Sequence, residues 1–282
     1  MKVIRNPQKL NRILKRISCE RKSIGFVPTM GALHLGHLSL IKKAAKDNEI
    51  VVVSIFVNPT QFGPKEDLKK YPRPLKKDIE LCRKSGVDFV FLPDNKTIYP
   101  YGYSTFVKVE GLSDLLCGVS RPGHFRGVST IVAKLLNIVG PDIIYLGQKD
   151  AQQAIIIKRM VRDLNFPVKI KIMPTVRLAD GLALSSRNAY LTGEQRKEAA
   201  VLSRSLSLAR SLVQAGACDS SRILGRMKEM IRKKRQARID YIEIVDLENL
   251  EKIKKIDRNC LIALAVKFGN TRLIDNTIIN HA

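Results

Sequence analysis

From Ser23 to Met173 the chain alternates short apolar runs with segments of helical period, and this alternation most limits the folds open to it. Ser23–Val27, Ile50–Val57, Val87–Leu92, Asp142–Leu146 and Val168–Met173 are brief runs punctuated by Gly, Pro or Asn, so each reads as a buried strand. Between them, apolar residues recur at helical spacing: Leu38, Leu40 and Ile41 in a helix to about Lys46, then Leu75, Ile79 and Cys82 before Gly86. Val128 to Val139 forms another such helix, stopped by Gly140-Pro141, and Leu10, Ile13, Leu14 and Ile17 place one before the first strand. Strands separated by helices predict a doubly wound parallel sheet over residues 1–176. Beyond it, Leu178–Asn188 is a polar, glycine-bearing connector, and Thr192 with Gln195 makes a capping box for a helix to about Ala215. A second helix over roughly 220–236 and strands at Tyr241–Val245, Leu261–Val266 and Arg272–Ile274 predict a smaller α+β domain, residues 177–282.

The first strand runs through Pro28 into His34-Leu35-Gly36-His37 at the start of a helix. A helix start presents unpaired N–H groups and the positive end of the dipole, which suit a phosphate. His34 and His37 are three apart and should project from one face of the first turn. Gly31 and Gly36 would let a nucleotide approach the backbone closely. Two other readings compete. Half a zinc site is one, but only His124 and His281 remain as further histidines and no Cys-x-x-Cys exists. Ordinary core or surface histidines are the other. The chain has no G-x-G-x-x-G, and neither Gly31/Gly36 nor Gly118/Gly123 is followed by Lys, so the histidine turn carries the phosphate reading alone.

Fifty Lys and Arg against 26 Asp and Glu leave a net charge of +24, which invites an anionic partner. The excess concentrates in Lys2–Lys22 and Gly225–Arg238, but neither stretch interleaves the aromatics of a base-stacking surface, and there is no Trp. A solvated basic surface is therefore favoured over nucleic-acid binding. Five cysteines without close spacing argue for a reducing compartment. No apolar stretch is long enough to span a bilayer, and the basic N-terminus lacks a signal-peptide core, so the expected location is the cytoplasm.

Three further segments follow strands or open helices: Asn58-Pro-Thr-Gln61, the basic loop Gly118–Gly127 with Arg121, His124 and Arg126, and Gly147-Gln148-Lys149-Asp150. Asn58 and Gln61 could read a polar substrate or merely start a turn. The basic loop could bind phosphate or shape an interface. Together PTMGALHLGH, NPTQF, SRPGHFRGVSTIV, GQKDAQQ and DGLALSSRN, in this order and spacing, resemble the pantothenate synthetase family across nearly the whole chain. That family lies within the nucleotidyltransferases that bear a His-x-Gly-His turn.

The resemblance implies a Rossmann-like sheet whose domain binds nucleotide and pantoate, followed by a lid domain. It also implies ATP-dependent condensation of pantoate with β-alanine through a pantoyl adenylate, releasing AMP and pyrophosphate, with Mg2+ accompanying ATP and a homodimer as the assembly. No protein-held metal site is expected. By position, Met30, Gly31, Ala32, Leu33, His34, Leu35, Gly36 and His37 correspond to the ATP-binding turn, with His37 the candidate acid. Gln61 corresponds to a pantoate contact bordering the β-alanine site, with Asn58 beside it, and Gln153 to a further pantoate ligand. Gly147, Gln148, Lys149 and Asp150 correspond to a second ATP segment, Lys149 against the phosphates and Asp150 near the ribose. Val176 corresponds to an adenine-side backbone contact, and Leu184, Ser185, Ser186 and Arg187 to a loop closing over the phosphates. Gln148 stands where relatives also carry Glu. An adenylyltransferase acting on another acid, or an RNA-binding protein using the basic stretches, are the competing functions.

Overall fold

The computed structural model describes residues 1–64 and 66–281. In chain order the elements are β1 (Lys2–Ile4), α1 (Pro7–Cys19), β2 (Ile24–Thr29), α2 (Leu35–Asp47), β3 (Ile50–Ile55), α3 (Leu75–Lys84) and β4 (Phe89–Phe91). Short helices α4 (Asn95–Ile98) and α5 (Cys117–Ser120) precede α6 (His124–Val139), β5 (Ile143–Gly147), α7 (Ala151–Asp163) and β6 (Lys169–Met173). The remainder is α8 (Gly193–Ala199), α9 (Val201–Gln214), α10 (Ser220–Arg232), β7 (Ala237–Asp246), β8 (Cys260–Phe268) and β9 (Thr271–Ile279).

β1 to β6 form one Rossmann-like sheet in the order β1-β4-β3-β2-β5-β6, with parallel pairing throughout. Alternate residues of the four inner strands β2 to β5 enter two different cores, so those strands are apolar on both faces. Phe26, Val52, Phe91 and Ile144 pack with α1, α6 and α7. Val27, Val51, Val53, Val90 and Tyr145 pack with α2 and α3. The second sheet is antiparallel, β7-β8-β9, and is likewise covered twice. Leu261 and Ala263 join the core of α6 and α7, while Ile262, Leu264 and Val266 pack among α8, α9 and α10.

The strand order places a topological switch between β2 and β5, because the chain moves outward to one side through β3 and to the other through β6. In open α/β sheets the crevice beyond the C-terminal strand ends at such a point receives the ligand.

Several elements differ from the expectation. β1 carries no sequence signal, being three residues at the sheet edge with only Ile4 buried. The helix expected from Thr192 to Ala215 is two helices meeting at Ala200, and the one expected to residue 236 stops at Arg232. All three strands of the second sheet are longer than expected. β9 continues past Ile274 through Asp275 and Asn276, which interrupt its apolar pattern and yet are both buried.

Candidate functional site

Three of the singled-out segments, and the single residue Val176, follow the C-terminal ends of four neighbouring strands. The Asn58–Gln61 turn follows β3, the histidine turn follows β2, Gln148–Asp150 follows β5, and Pro174–Val176 follows β6. With residues 184–187 they line a cavity of about 230 Å³ that includes Met30, His34, His37, Asn58, Gln61, Lys149, Asp150, Gln153, Val176 and Arg187. A larger cleft of about 1110 Å³ toward the second sheet shares Lys149, Asp150, Gln153, Ser185 and Arg187 with it. The smaller cavity holds the histidines, so the chemistry is assigned there and the larger cleft is its approach.

The histidine turn corrects one expectation. His34 is the N-cap of α2 rather than part of its first turn, and His37 is the third residue of the helix. Gly36 N–H donates to His34 Nδ1 at 3.2 Å, and His34 N–H donates to His37 Nδ1 at 3.4 Å. Both Nδ1 atoms are therefore acceptors, which leaves Nε2–H on each ring as the remaining donor. The rings lie 4.1 Å apart. Burial, with Lys149 nearby, lowers the His34 pKa to about 4; burial and then His34 lower that of His37 to about 3. Both imidazoles are thus neutral donors near pH 7.

Gly31 and Ala32 both take the left-handed backbone region, at φ +81° and +50°. Asp78 of α3 holds this turn, its carboxylate accepting from Ala32 N–H at 2.9 Å and Leu33 N–H at 2.8 Å. Gly36 is required by its own histidine, since a Cβ there would meet the His34 ring at 2.9 Å. Gly31, Ala32, Leu33 and Leu35 do not line the cavity: Leu33 is buried in the core under α2, and the Leu35 side chain is exposed.

Gln61 is buried, its Nε2–H at 3.2 Å from Met30 Sδ and its Oε1 accepting from Asn58 Nδ2. Asn58 is fully engaged by the protein: Nδ2 also donates to the Gly127 carbonyl, and Oδ1 accepts from Thr60 and from Tyr99 Oη. It braces the turn from behind. The turn lies so close to α6 that a Cβ on Gly127 would meet the Thr60 carbonyl oxygen at 2.4 Å. From the basic loop, His124 Nδ1–H donates to the Gln61 carbonyl at 2.8 Å and Nε2 accepts from Arg121 at 2.9 Å. Burial and then Arg121 lower the His124 pKa to about 4. Arg126 instead stacks on Phe106, 3.8 Å from the ring centroid.

On the opposite wall, Lys149 Nζ is 3.4 Å from Asp150 Oδ1. Burial opposes ionisation of Asp150, but Lys149, Arg187 and His37 outweigh it and hold the carboxyl below its usual pKa. Arg187 makes a two-point ion pair with Asp67 at 2.9 and 3.1 Å, and Arg121 makes one with Glu66 at 2.6 and 2.7 Å. Two consecutive carboxylates of residues 62–71 thus occupy two arginines of the cleft. Ser186 Oγ lies 3.3 Å from Tyr71 Oη, and Ser185 Oγ accepts from Arg187 N–H. The Val176 carbonyl accepts from Leu184 N–H at 3.0 Å. Gln148 does not line the smaller cavity; its carbonyl faces Asn276.

The Pantoate-beta-alanine ligase family model matches residues 2–278. The chain belongs to that family. A pantothenate synthetase of Moorella thermoacetica is 57% identical over 91% of this chain and 91% of its own length. One from Acetivibrio thermocellus is 52% identical over 99% of each. Among solved structures, a pantothenate synthetase of Thermus thermophilus superposes with a TM-score of 0.93 at 44% identity, covering 98% of this chain and 99% of that one. A Francisella tularensis pantoate-beta-alanine ligase, complexed with beta-gamma ATP and beta-alanine, gives a TM-score of 0.81 at 37% identity, covering 99% and 97%.

Asp78, Glu66, Asp67 and Asn276 do not stand out in the sequence. Asp78 has a signal nonetheless, because it lies three residues after Leu75 and four before Cys82 on the apolar stripe of α3. A carboxylate on such a stripe needs a partner.

Proposed function

We propose that this chain condenses pantoate with β-alanine at the expense of ATP, through a pantoyl adenylate, releasing AMP and pyrophosphate. The observation that carries this reading is the convergence of four family-pattern segments at the switch point of the sheet, with both histidines held as neutral Nε2–H donors. In the first step a pantoate carboxylate oxygen attacks the α-phosphorus and the bond to the departing pyrophosphate breaks. Met30, His34, Gly36 and His37, with Gly147, Lys149 and Asp150, bind ATP in this reading, while Gly31, Ala32 and Leu33 shape the turn behind them; His34 and His37 donate to phosphate oxygens, and His37 serves where the transition-state charge is greatest. Lys149 and Arg187 complement the departing pyrophosphate, Asp150 meets the ribose, and Val176 offers backbone to the adenine side. The loop 184–187 covers the phosphates once Arg187 exchanges Asp67 for them.

Gln61 and Gln153 bind the pantoate hydroxyls and carboxylate without adding negative charge, with Asn58 fixing Gln61. In the second step the β-alanine amine, having lost a proton, attacks the acyl carbon and AMP leaves. Residues 1–176 form the nucleotide- and pantoate-binding domain and residues 177–282 the covering domain. Mg2+ enters as the partner of ATP: among the described residues no three His, Cys, Asp or Glu side chains form a metal cluster, and Mg2+ is readily held by phosphates and water. Bound there, it would neutralise charge on the phosphates.

No helix among the described residues is long and apolar enough to cross a membrane. The reading places the chain in the cytoplasm as a homodimer, without a nucleic-acid partner. Pantothenate formation from ATP, pantoate and β-alanine with stoichiometric AMP is the test. ADP in place of AMP would overturn the adenylate route.

A further inference from the structure

β9 is one of the two edge strands of the second sheet, and its Asp275 and Asn276 are both buried although they break its apolar pattern. Asn276 Nδ2 donates to two consecutive carbonyls, Gln148 at 2.8 Å and Lys149 at 2.9 Å. Its Oδ1 has no hydrogen-bond partner among the described residues. The opposite amide orientation would set a third oxygen against the two carbonyls, so the contacts fix this one. A buried acceptor left unsatisfied costs free energy that an apolar side chain would not. The two donated bonds, rather than the oxygen, are what tie β9 to the turn that carries Lys149. Its neighbour ties β9 to the connector after β6: the Asp275 carboxylate accepts two bonds from Arg177, which also donates to the Gly181 carbonyl.

We infer that Asn276 is a positioning residue for Lys149: the second sheet sets the height of the Gln148–Asp150 turn, and through it the reach of the Lys149 ammonium toward the phosphates. The carbonyl of Lys149 is two bonds from its Cα, so rotating that peptide swings the side chain. This rests on the proposed role of Lys149 in adenylation.

A double-mutant cycle tests it, using Asn276→Ala, Lys149→Ala and the double variant in the full chain. Pantoate-dependent exchange of labelled pyrophosphate into ATP reads the first step, and conversion of preformed pantoyl adenylate with β-alanine reads the second. Asn276→Ala should slow exchange by roughly ten- to a hundredfold, the scale of a catalytic group displaced by about 1 Å. The second step should slow less. In the Lys149→Ala background the asparagine substitution should add little, because its effect passes through the absent ammonium. Equal losses in both steps, or the full factor persisting without Lys149, would overturn the inference, as would unchanged exchange in folded Asn276→Ala. Should that variant not fold, Asn276→Ser keeps a donor at the position and should retain more exchange than Asn276→Asp, which sets a carboxylate against the carbonyls; the reverse order refutes it. If wild-type protein gives no exchange, the proposed reaction fails instead.

Discussion

Asp78→Asn isolates what one buried carboxylate does for the histidine turn. Asp78 is 1% exposed and receives two backbone N–H groups, from Ala32 and Leu33. Asparagine is nearly the same size and keeps one acceptor, but its NH2 must face the second N–H. The change removes one charge-assisted hydrogen bond and leaves a buried donor unpaired, a loss of roughly 1.5–3 kcal/mol. For a chain of this size that is a fall in melting temperature of roughly 3–6 °C. The turn also holds Gly31 and Ala32 at positive φ, a conformation that a non-glycine residue such as Ala32 keeps only when its surroundings enforce it. Released, it would shift His34 and Met30, so pyrophosphate exchange should drop about tenfold or more. A calorimetric scan with the exchange assay on the same preparation measures both. A melting point within a degree of wild type and full exchange would refute the argument that this carboxylate holds the turn.

Asp67→Asn should lower the KM for ATP, by at most about fivefold, because partly exposed ion pairs contribute only up to about 1 kcal/mol and Arg187 would no longer be held away; a raised KM would mean that Asp67 positions the arginine. Stability should fall as pH drops from about 6.5 toward 4. His34, His37 and His124 have pKa values below the ordinary 6.5, so the unfolded chain takes up the protons first. Their contribution is complete above pH 6.5, and for His124 its loss amounts to roughly 3 kcal/mol. Urea midpoints that stay constant between pH 7 and 5 would contradict this. Replacing Arg232, Lys233, Lys234 and Arg235 with Gln should leave turnover at physiological salt nearly unchanged, since these residues sit at and beyond the end of α10, away from both cavities. A large loss at every salt concentration would give the basic stretch a function.

Local pattern settled the class of fold. Runs such as Ile50–Ile55 are apolar on both faces of the strand, and only a strand covered on both sides accommodates that. Segments following such runs necessarily fall at strand ends, so the histidine turn, the Gln61 turn and Lys149 could be recognised as candidates one by one. What the sequence could not supply was their arrangement. Strand order is decided by packing among all the elements, and it alone sets β2 beside β5 and makes one cavity of their loops. The same holds for the groups that hold the site in shape. Asp78 lies 45 residues from the Leu33 amide it binds, and Asn276 lies 128 residues from the Gln148 carbonyl. Asp275 and Asn276 even concealed the second half of their own strand, because polar residues bonded to distant partners read locally as a break. A hydrophobic period is written along the chain, whereas a hydrogen bond between remote segments exists only once the chain has closed on itself.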